Sequence, residues 1–241
     1  MNVAQSIQNA VAVMPAGQIF GYDALPDYGR SPSAVIKAVS RMVKDEKLSR
    51  FAKGKFFVPQ KGLMGNRKPS DGELIRSVLY KNGSLRGYVS GYALFNRLGL
   101  TTQVPKTIVV AVNGGRQIKD FGRLSIQTVP ARAIVSEANV TLLGYLDVLK
   151  DIKTIPDTTV SQSMSRMVLL IKRLTPQEKR RLVALALEAY PPQVRALLGV
   201  MSDKTDLPDA QQLKLSLNPT TVYKLRIEAA DWPNMKDWNI R

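Results

Sequence analysis

The residues best suited to chemistry form a basic stretch between Ser31 and Pro59. Its first half carries hydroxyl and cationic side chains at helical spacing, and its second half carries cations around Gly54. Lys and Arg bind guanine edges and phosphates, and Ser binds bases or phosphates. The chemistry indicated is recognition of DNA, through the side chains of Ser31, Ser33, Lys37, Ser40, Arg41, Lys44, Arg50, Lys53 and Lys55.

Two elements must hold these side chains in place. A helix is predicted from Ser31-Pro32 onward, because Ser caps helix N-termini and Pro is favoured at the first helical position. Val35, Ala38, Val39, Met42 and Val43 fall on one side of it and leave the basic residues on the other. Two short strands, 48–51 and 55–58, are predicted around Gly54, which permits a tight turn. We expect the helix to read bases in the major groove and the hairpin to contact the backbone or the minor groove.

The elements predicted before this stretch complete a known arrangement. A helix over 3–14, a strand over 18–20 and a short helix over 22–25 precede the basic helix. The order helix, strand, helix, helix, strand, turn, strand is that of a winged helix-turn-helix. The competing interpretation is an ordinary amphipathic helix whose basic side faces solvent.

The charge of the whole chain favours a polyanionic partner. The 241 residues carry a formal net charge of +16, with 35 Lys and Arg against 19 Asp and Glu. The excess is densest in residues 1–68, where 11 basic residues meet four acidic ones. Double-stranded DNA is the partner that we expect. An acidic protein partner is the alternative from charge alone.

The chain contains neither His nor Cys. Disulfides, Cys-ligated metals, the usual zinc ligand and every Ser-His or Cys-His nucleophile are therefore excluded. Asp147 and Asp151 lie four residues apart on a predicted helix and Asp157 follows, a set that could bind Mg²⁺. Lys150 and Lys153 indicate instead a charged face in solvent. We expect no metal, no cofactor and no enzyme activity.

The predicted fold class is α+β, with two domains and a linker. Residues 1–62 form the winged helix-turn-helix, and 63–72 form a linker rich in Gly and polar residues. Residues 73–241 form a larger mixed α/β domain whose C-terminal part is helical, with helices over 139–152, 161–173, 176–189 and 191–201. We find no signal peptide and no membrane span, and expect a cytoplasmic protein.

Three blocks of the sequence resemble AbiEi-like antitoxins of bacterial type IV toxin–antitoxin systems. The first block ends with Leu48, Arg50, Lys53-Gly54, Phe56-Phe57 and Pro59, similar to the end of the winged-helix head in that family. The others, residues 91–105 and then 190–199 with 217–225, are similar to its later segments. The resemblance implies an antitoxin whose head binds inverted repeats in its own promoter and represses transcription. It also implies a C-terminal domain that counters a nucleotidyltransferase-like toxin, with or without direct contact.

Two further readings of the chain stay open. It could be a solitary winged-helix transcriptional regulator, or its C-terminal domain could be an enzyme that acts on nucleotides or RNA. A second cluster of cations has two interpretations as well, a second nucleic-acid surface or a solvated helix face. Its members are Lys172, Arg173, Lys179, Arg180 and Arg181.

Overall fold

The chain divides into two structural units. The computed structural model describes residues 2–62, 65–81 and 83–241. The first unit, unit 1, is Met1–Leu85, and unit 2 is Arg86–Arg241. Helices and several small sheets alternate along both. The predicted α+β class is confirmed.

Unit 1 begins with helices on a three-stranded antiparallel sheet. Its strands lie in the order β1-β3-β2, so the last strand of the hairpin is central. The elements are α1 (Val3–Ala12), β1 (Ile19–Gly21), a 3-10 turn (Tyr22–Ala24), α2 (Pro32–Lys44), β2 (Ser49–Ala52) and β3 (Lys55–Phe57).

The core of unit 1 forms because the apolar stripes of α1 and α2 cover one face of this sheet. Ile7 of α1, Val35 and Val39 of α2 and Phe56 of β3 are at most 1% exposed. Each such side chain stabilises the fold by about 1.5–3 kcal/mol. Leu48, also buried, anchors the start of the hairpin. This core fixes which side of α2 faces outward.

The predicted short helix over 22–25 is a single 3-10 turn, Tyr22–Ala24. Pro26 follows it, and Asp27 has a left-handed backbone with φ of 65°. The carbonyl of Asp27 then accepts hydrogen bonds from the N–H groups of Arg30 and Ser31. Pro26 and the left-handed Asp27 cannot continue a helix, so the chain turns at these residues and then enters α2.

Unit 1 also extends past the segment predicted as a linker, 63–72. Of that segment, residues 63 and 64 lie outside the described residues. Strand β4 (Gln60–Gly62) pairs with β5 (Gly65–Arg67), and α3 (Asp71–Leu79) follows. Glu73 of α3 accepts a hydrogen bond from the N–H of Ile19 at 3.0 Å and thereby holds α3 against β1. The short pair β6 (Tyr80–Lys81) and β7 (Ser84–Leu85) ends the unit.

Unit 2 begins with a four-stranded mixed sheet in the order β10-β11-β9-β8. Strands β9 and β11 are parallel, and the other pairs are antiparallel. The segment 113–116 joins β9 to β10, which are not neighbours in the sheet, and Asn113 bonds the backbone of Val135 through both side-chain atoms. The elements are β8 (Gly87–Ser90), α4 (Gly91–Arg97), β9 (Thr107–Val112), β10 (Gln117–Asp120) and β11 (Ser125–Pro130).

Helices make up the rest of unit 2, as predicted. Thr159 and Thr175 begin two of them with complete capping boxes. Trp232 and Trp238 are buried in this unit. Among residues 2–62, 65–81 and 83–241, no helix has the length and apolar character to cross a bilayer. The helices are α5 (Val140–Lys150), α6 (Val160–Lys172), α7 (Pro176–Ala189), α8 (Pro192–Thr205) and α9 (Ala210–Leu215).

Candidate nucleic-acid interface

Helix α2 presents the predicted side chains to solvent on one face. Its opposite side is buried through Val35, Ala38, Val39 and Met42. With 3.6 residues per turn, residues three, four and seven apart share a face. The outward set is exposed throughout, and we call it the basic face of α2: Ser33, Lys37, Ser40, Arg41 and Lys44.

The cations of this face carry uncompensated charge. In the described part of the chain, no carboxylate lies within ion-pair distance of Lys37, Arg41 or Lys44. Between Ser31 and Pro59 there are seven Lys and Arg and only two acidic residues, and both acidic residues follow the end of α2. The basic face therefore projects an unscreened positive potential, which is the property that phosphate recognition requires.

The N-terminus of α2 adds backbone donors. Ser31 occupies the N-cap position, as predicted, but its side chain makes no capping hydrogen bond. The first helical bond runs from the N–H of Val35 to the carbonyl of Ser31. The N–H groups of Ser33 and Ala34 have no partner within the helix and point along its axis, where they can donate hydrogen bonds to a phosphate oxygen.

The hairpin between β2 and β3 carries the three predicted cations, Arg50, Lys53 and Lys55, and all three are exposed. Gly54 has a φ of 69°, which lets the chain reverse directly after the exposed Lys53. The guanidinium of Arg50 lies 6.0 Å from the centre of the Phe56 ring, so the core aromatic supports this exposed side chain. Arg50 and Lys53 are thus exposed cations on the β2–β3 hairpin.

Lys55 directs its side chain differently from Lys53. Its side chain reaches across β1, where its Nζ lies 3.1 Å from the position that a Cβ on Gly21 would occupy. There it lines a cleft of about 240 Å³ together with Asp23, Glu73 and Arg76. Lys81 lines the same cleft. The Lys55 side chain therefore lies over β1, and its contact with DNA stays a prediction.

Ile36 of α2 was not among the contact residues predicted from the sequence. Ile36 is 40% exposed, although its neighbours Val35 and Val39 are fully buried. It lies three residues after Ser33 and four before Ser40, so it borders the basic face of α2. That spacing was the signal available in the sequence.

The second cluster of cations is divided in the structure. Lys172 and Arg173 lie at the C-terminal end of α6 and are exposed, whereas Lys179 on α7 is half-buried. Arg180 and Arg181 line a groove beside α5.

Acidic residues interrupt that groove. Glu137 and Glu178 line it with the two arginines, and the Nε of Arg181 donates to Oδ1 of Asn139 at 3.1 Å. Hydrogen bonds from the backbone N–H and hydroxyl of Thr175 hold the pKa of the Glu178 carboxyl below its ordinary value. The groove therefore keeps an ionised acid between its cations, which favours the solvated-face interpretation over a continuous anion surface.

The prediction that Asp147 lies on a charged helix face in solvent is wrong. This residue is 4% exposed, and the hydroxyls of Tyr88, Ser90 and Tyr190 all donate to its carboxylate. The Nζ of Lys150 lies 3.9 Å from Oδ1. Burial raises the pKa of Tyr88 first, and the Asp147 charge raises it further. In the chain as far as it is described, no group of acidic residues could hold a metal ion.

Comparison with known proteins places the chain in a family and a fold. The crystal structure of the RV2827C protein from Mycobacterium tuberculosis is similar with a TM-score of 0.53 at 10% sequence identity. That similarity covers 100% of this chain and 91% of the other, and it indicates a shared fold. No curated protein matches the sequence. The model described as "Family of unknown function (DUF6088)" matches residues 6–181, more than half of the chain, so the protein belongs to the DUF6088 family.

Proposed function

We propose that unit 1 is a winged helix-turn-helix that binds duplex DNA, with α2 in the major groove and the β2–β3 hairpin as its wing. The observation that carries this proposal is the basic face of α2. Three cations, Lys37, Arg41 and Lys44, stand unpaired and exposed on the side opposite the core-packed stripe. The order of helices and strands in unit 1 supports the same reading.

The contacts divide into two kinds. Lys37 and Arg41 are long enough to reach guanine O6 and N7 in the major groove, and Ser33 and Ser40 can bond base edges or phosphates. The free N–H groups at the start of α2 and the cations of Arg50 and Lys53 meet phosphates. Base contacts then give sequence preference, and the phosphate contacts give affinity that salt weakens.

The proposed biological role is that of an autorepressing antitoxin of a type IV system. The resemblance of the three sequence blocks to AbiEi-like antitoxins supports it, and so does the presence of two units, one for each activity. Unit 1 would repress the chain's own promoter, and unit 2 would counter a nucleotidyltransferase-like toxin. A solitary regulator would show the first activity alone.

The DNA-binding part is tested with the full chain and a labelled duplex from immediately upstream of its coding sequence. The proposal predicts clear preference for this duplex over a scrambled duplex of the same length at moderate salt. It also predicts a log–log salt dependence with a slope of about −0.9 for each phosphate contacted. Equal binding to both duplexes would contradict specific repression.

The antitoxin part is tested by expressing the protein together with a nucleotidyltransferase encoded beside it. Growth should recover with the intact chain and should also recover with a variant whose basic face of α2 is neutralised, because neutralisation is assigned to unit 2. A failure of the intact chain to restore growth would leave the solitary regulator. Turnover of labelled nucleotides or tRNA by the purified chain would favour the enzyme alternative instead.

A further inference from the structure

Ile36 is the large apolar residue that α2 turns outward. It is 40% exposed, while the same helix buries Val35 and Val39 completely. Val43, two turns further along nearly the same side of the helix, packs against the core of unit 1. The fold thus has no need of an exposed isoleucine at position 36, where a polar residue would satisfy the helix equally well.

The side chains around Ile36 indicate which kind of partner it contacts. Ser33 and Ser40 flank it along the helix, and Lys37 follows it directly. All four lie within the first nine residues of α2, and the N-terminal part of such a helix is the part that reaches base edges. A neighbouring protein surface would have to cover these polar and cationic side chains as well, whereas a DNA groove offers acceptors for them.

We propose that Ile36 contacts the C5-methyl group of a thymine and makes α2 select for that base. In the major groove, thymine is the base that presents an apolar group, and apolar side chains are the ones that recognise it. This inference rests on the proposed function of unit 1. It assigns Ile36 as a specificity-determining residue and the cations beside it as readers of the adjoining bases.

The test uses the full chain and replaces single thymines by deoxyuridine, which lacks only the methyl group. A binding site is first selected from a random duplex library, and each thymine in it is then substituted in turn. At one thymine in each half-site, loss of the methyl should weaken binding by the wild-type chain about fourfold, the value expected for one buried methyl group. The Ile36→Ala variant should bind the two duplexes equally.

A matched control separates this contact from general loss of binding. Val13, 83% exposed at the end of α1, is apolar and lies outside α2, so Val13→Ala should keep the full methyl dependence. The inference is overturned if wild-type affinity ignores every substitution, or if Ile36→Ala retains the penalty. In either case DNA selection has succeeded and the proposed function stands. If no sequence is selected at all, the proposed function fails, and the inference fails with it.

Discussion

Tyr88 donates its hydroxyl to Oδ2 of Asp147 across 2.9 Å, and this bond ties β8 to α5 inside unit 2. Ser90 donates to the same oxygen at 2.7 Å, and Tyr190 donates to Oδ1 at 3.1 Å. The carboxylate on α5 is thus the common acceptor for donors on β8 and at the junction between α7 and α8. A buried carboxylate that accepts these hydrogen bonds is satisfied, but its removal would leave the three buried hydroxyl groups without an acceptor.

The substitution Asp147→Ala should therefore lower the free energy of unfolding of unit 2 by about 3 kcal/mol. Urea denaturation followed by Trp fluorescence measures this directly, because both tryptophans, Trp232 and Trp238, lie in unit 2. The control is Asp151→Ala, since Asp151 is more exposed and pairs with Lys150 at 3.0 Å. That change should cost less than about 1 kcal/mol. Equal losses would contradict a structural role for the Asp147 network.

Alkaline pH should weaken unit 2 through the same network. Burial, and then the Asp147 charge, raise the pKa of Tyr88 and of Tyr190 above the ordinary value of 10.0. Below that value both states hold these protons, so stability is unaffected. Above it the unfolded chain loses them while the folded chain retains them, and stability falls by about 1.4 kcal/mol per pH unit for each tyrosine.

Urea midpoints on either side of pH 10 check this expectation. The Tyr88→Phe variant should be less stable than wild type at neutral pH, because a bond to Asp147 is lost. Its midpoint should nevertheless fall less steeply above pH 10, because one of the two titrating groups is gone. Identical slopes for the two proteins would exclude Tyr88 as a source of the alkaline loss.

Two buried helix glycines should respond to alanine in opposite directions. A Cβ on Gly199 of α8 would overlap the indole ring of Trp238, which is buried and cannot accommodate it. Gly199→Ala should destabilise unit 2 by about 1–3 kcal/mol. A Cβ on Gly144 of α5 would meet only Leu94, at 3.6 Å, which is ordinary contact. Gly144→Ala should be neutral or stabilise by up to about 1 kcal/mol. Thermal and urea unfolding of both variants test the pair.

Lys53 at the hairpin tip should contribute affinity without sequence preference. Lys53→Ala should weaken binding to specific and scrambled duplexes by similar factors and reduce the log–log salt slope by about 1, because one phosphate contact is lost. Lys55→Ala is the matched control from the same hairpin, since Lys55 reaches across β1 into a cleft with carboxylates. Its effect on the salt slope should be smaller. A larger effect at Lys55 would reverse the assignment of the two lysines.

The sequence was sufficient to predict α2 and its two faces because the apolar spacing of Val35, Val39 and Met42 is strictly helical. It was sufficient for the β2–β3 hairpin as well, since Gly54 marks a tight turn between two short segments that contain Phe51 and Phe56-Phe57. These features depend on local periodicity and turn chemistry. The helices of unit 2 were predictable for the same reason, with Thr175-Pro176 as a clear helix start.

The failures came from contacts between distant residues. Asp147 looked solvated because its own helix offers Lys150, whereas its real donors, Tyr88 and Tyr190, lie 59 and 43 residues away. The direction of Lys55 depends on where β1 and α3 pack, and the parallel pairing of β9 and β11 depends on a sheet that no local pattern reveals. Ile36 was overlooked because an apolar residue beside a buried stripe is ordinarily assigned to the core.

The central claim is that the basic face of α2 reads DNA sequence, and the double variant Lys37→Ala/Arg41→Ala tests it most directly. Fluorescence anisotropy should compare the specific upstream duplex with a scrambled one, for wild type and for this variant. The control Arg180→Ala/Arg181→Ala removes equal charge from unit 2. Our account predicts that the first variant loses specificity by a factor on the order of ten or more, because contacts to base edges are removed. It predicts an unchanged specificity ratio for the control. An unchanged ratio in the α2 variant would contradict the account.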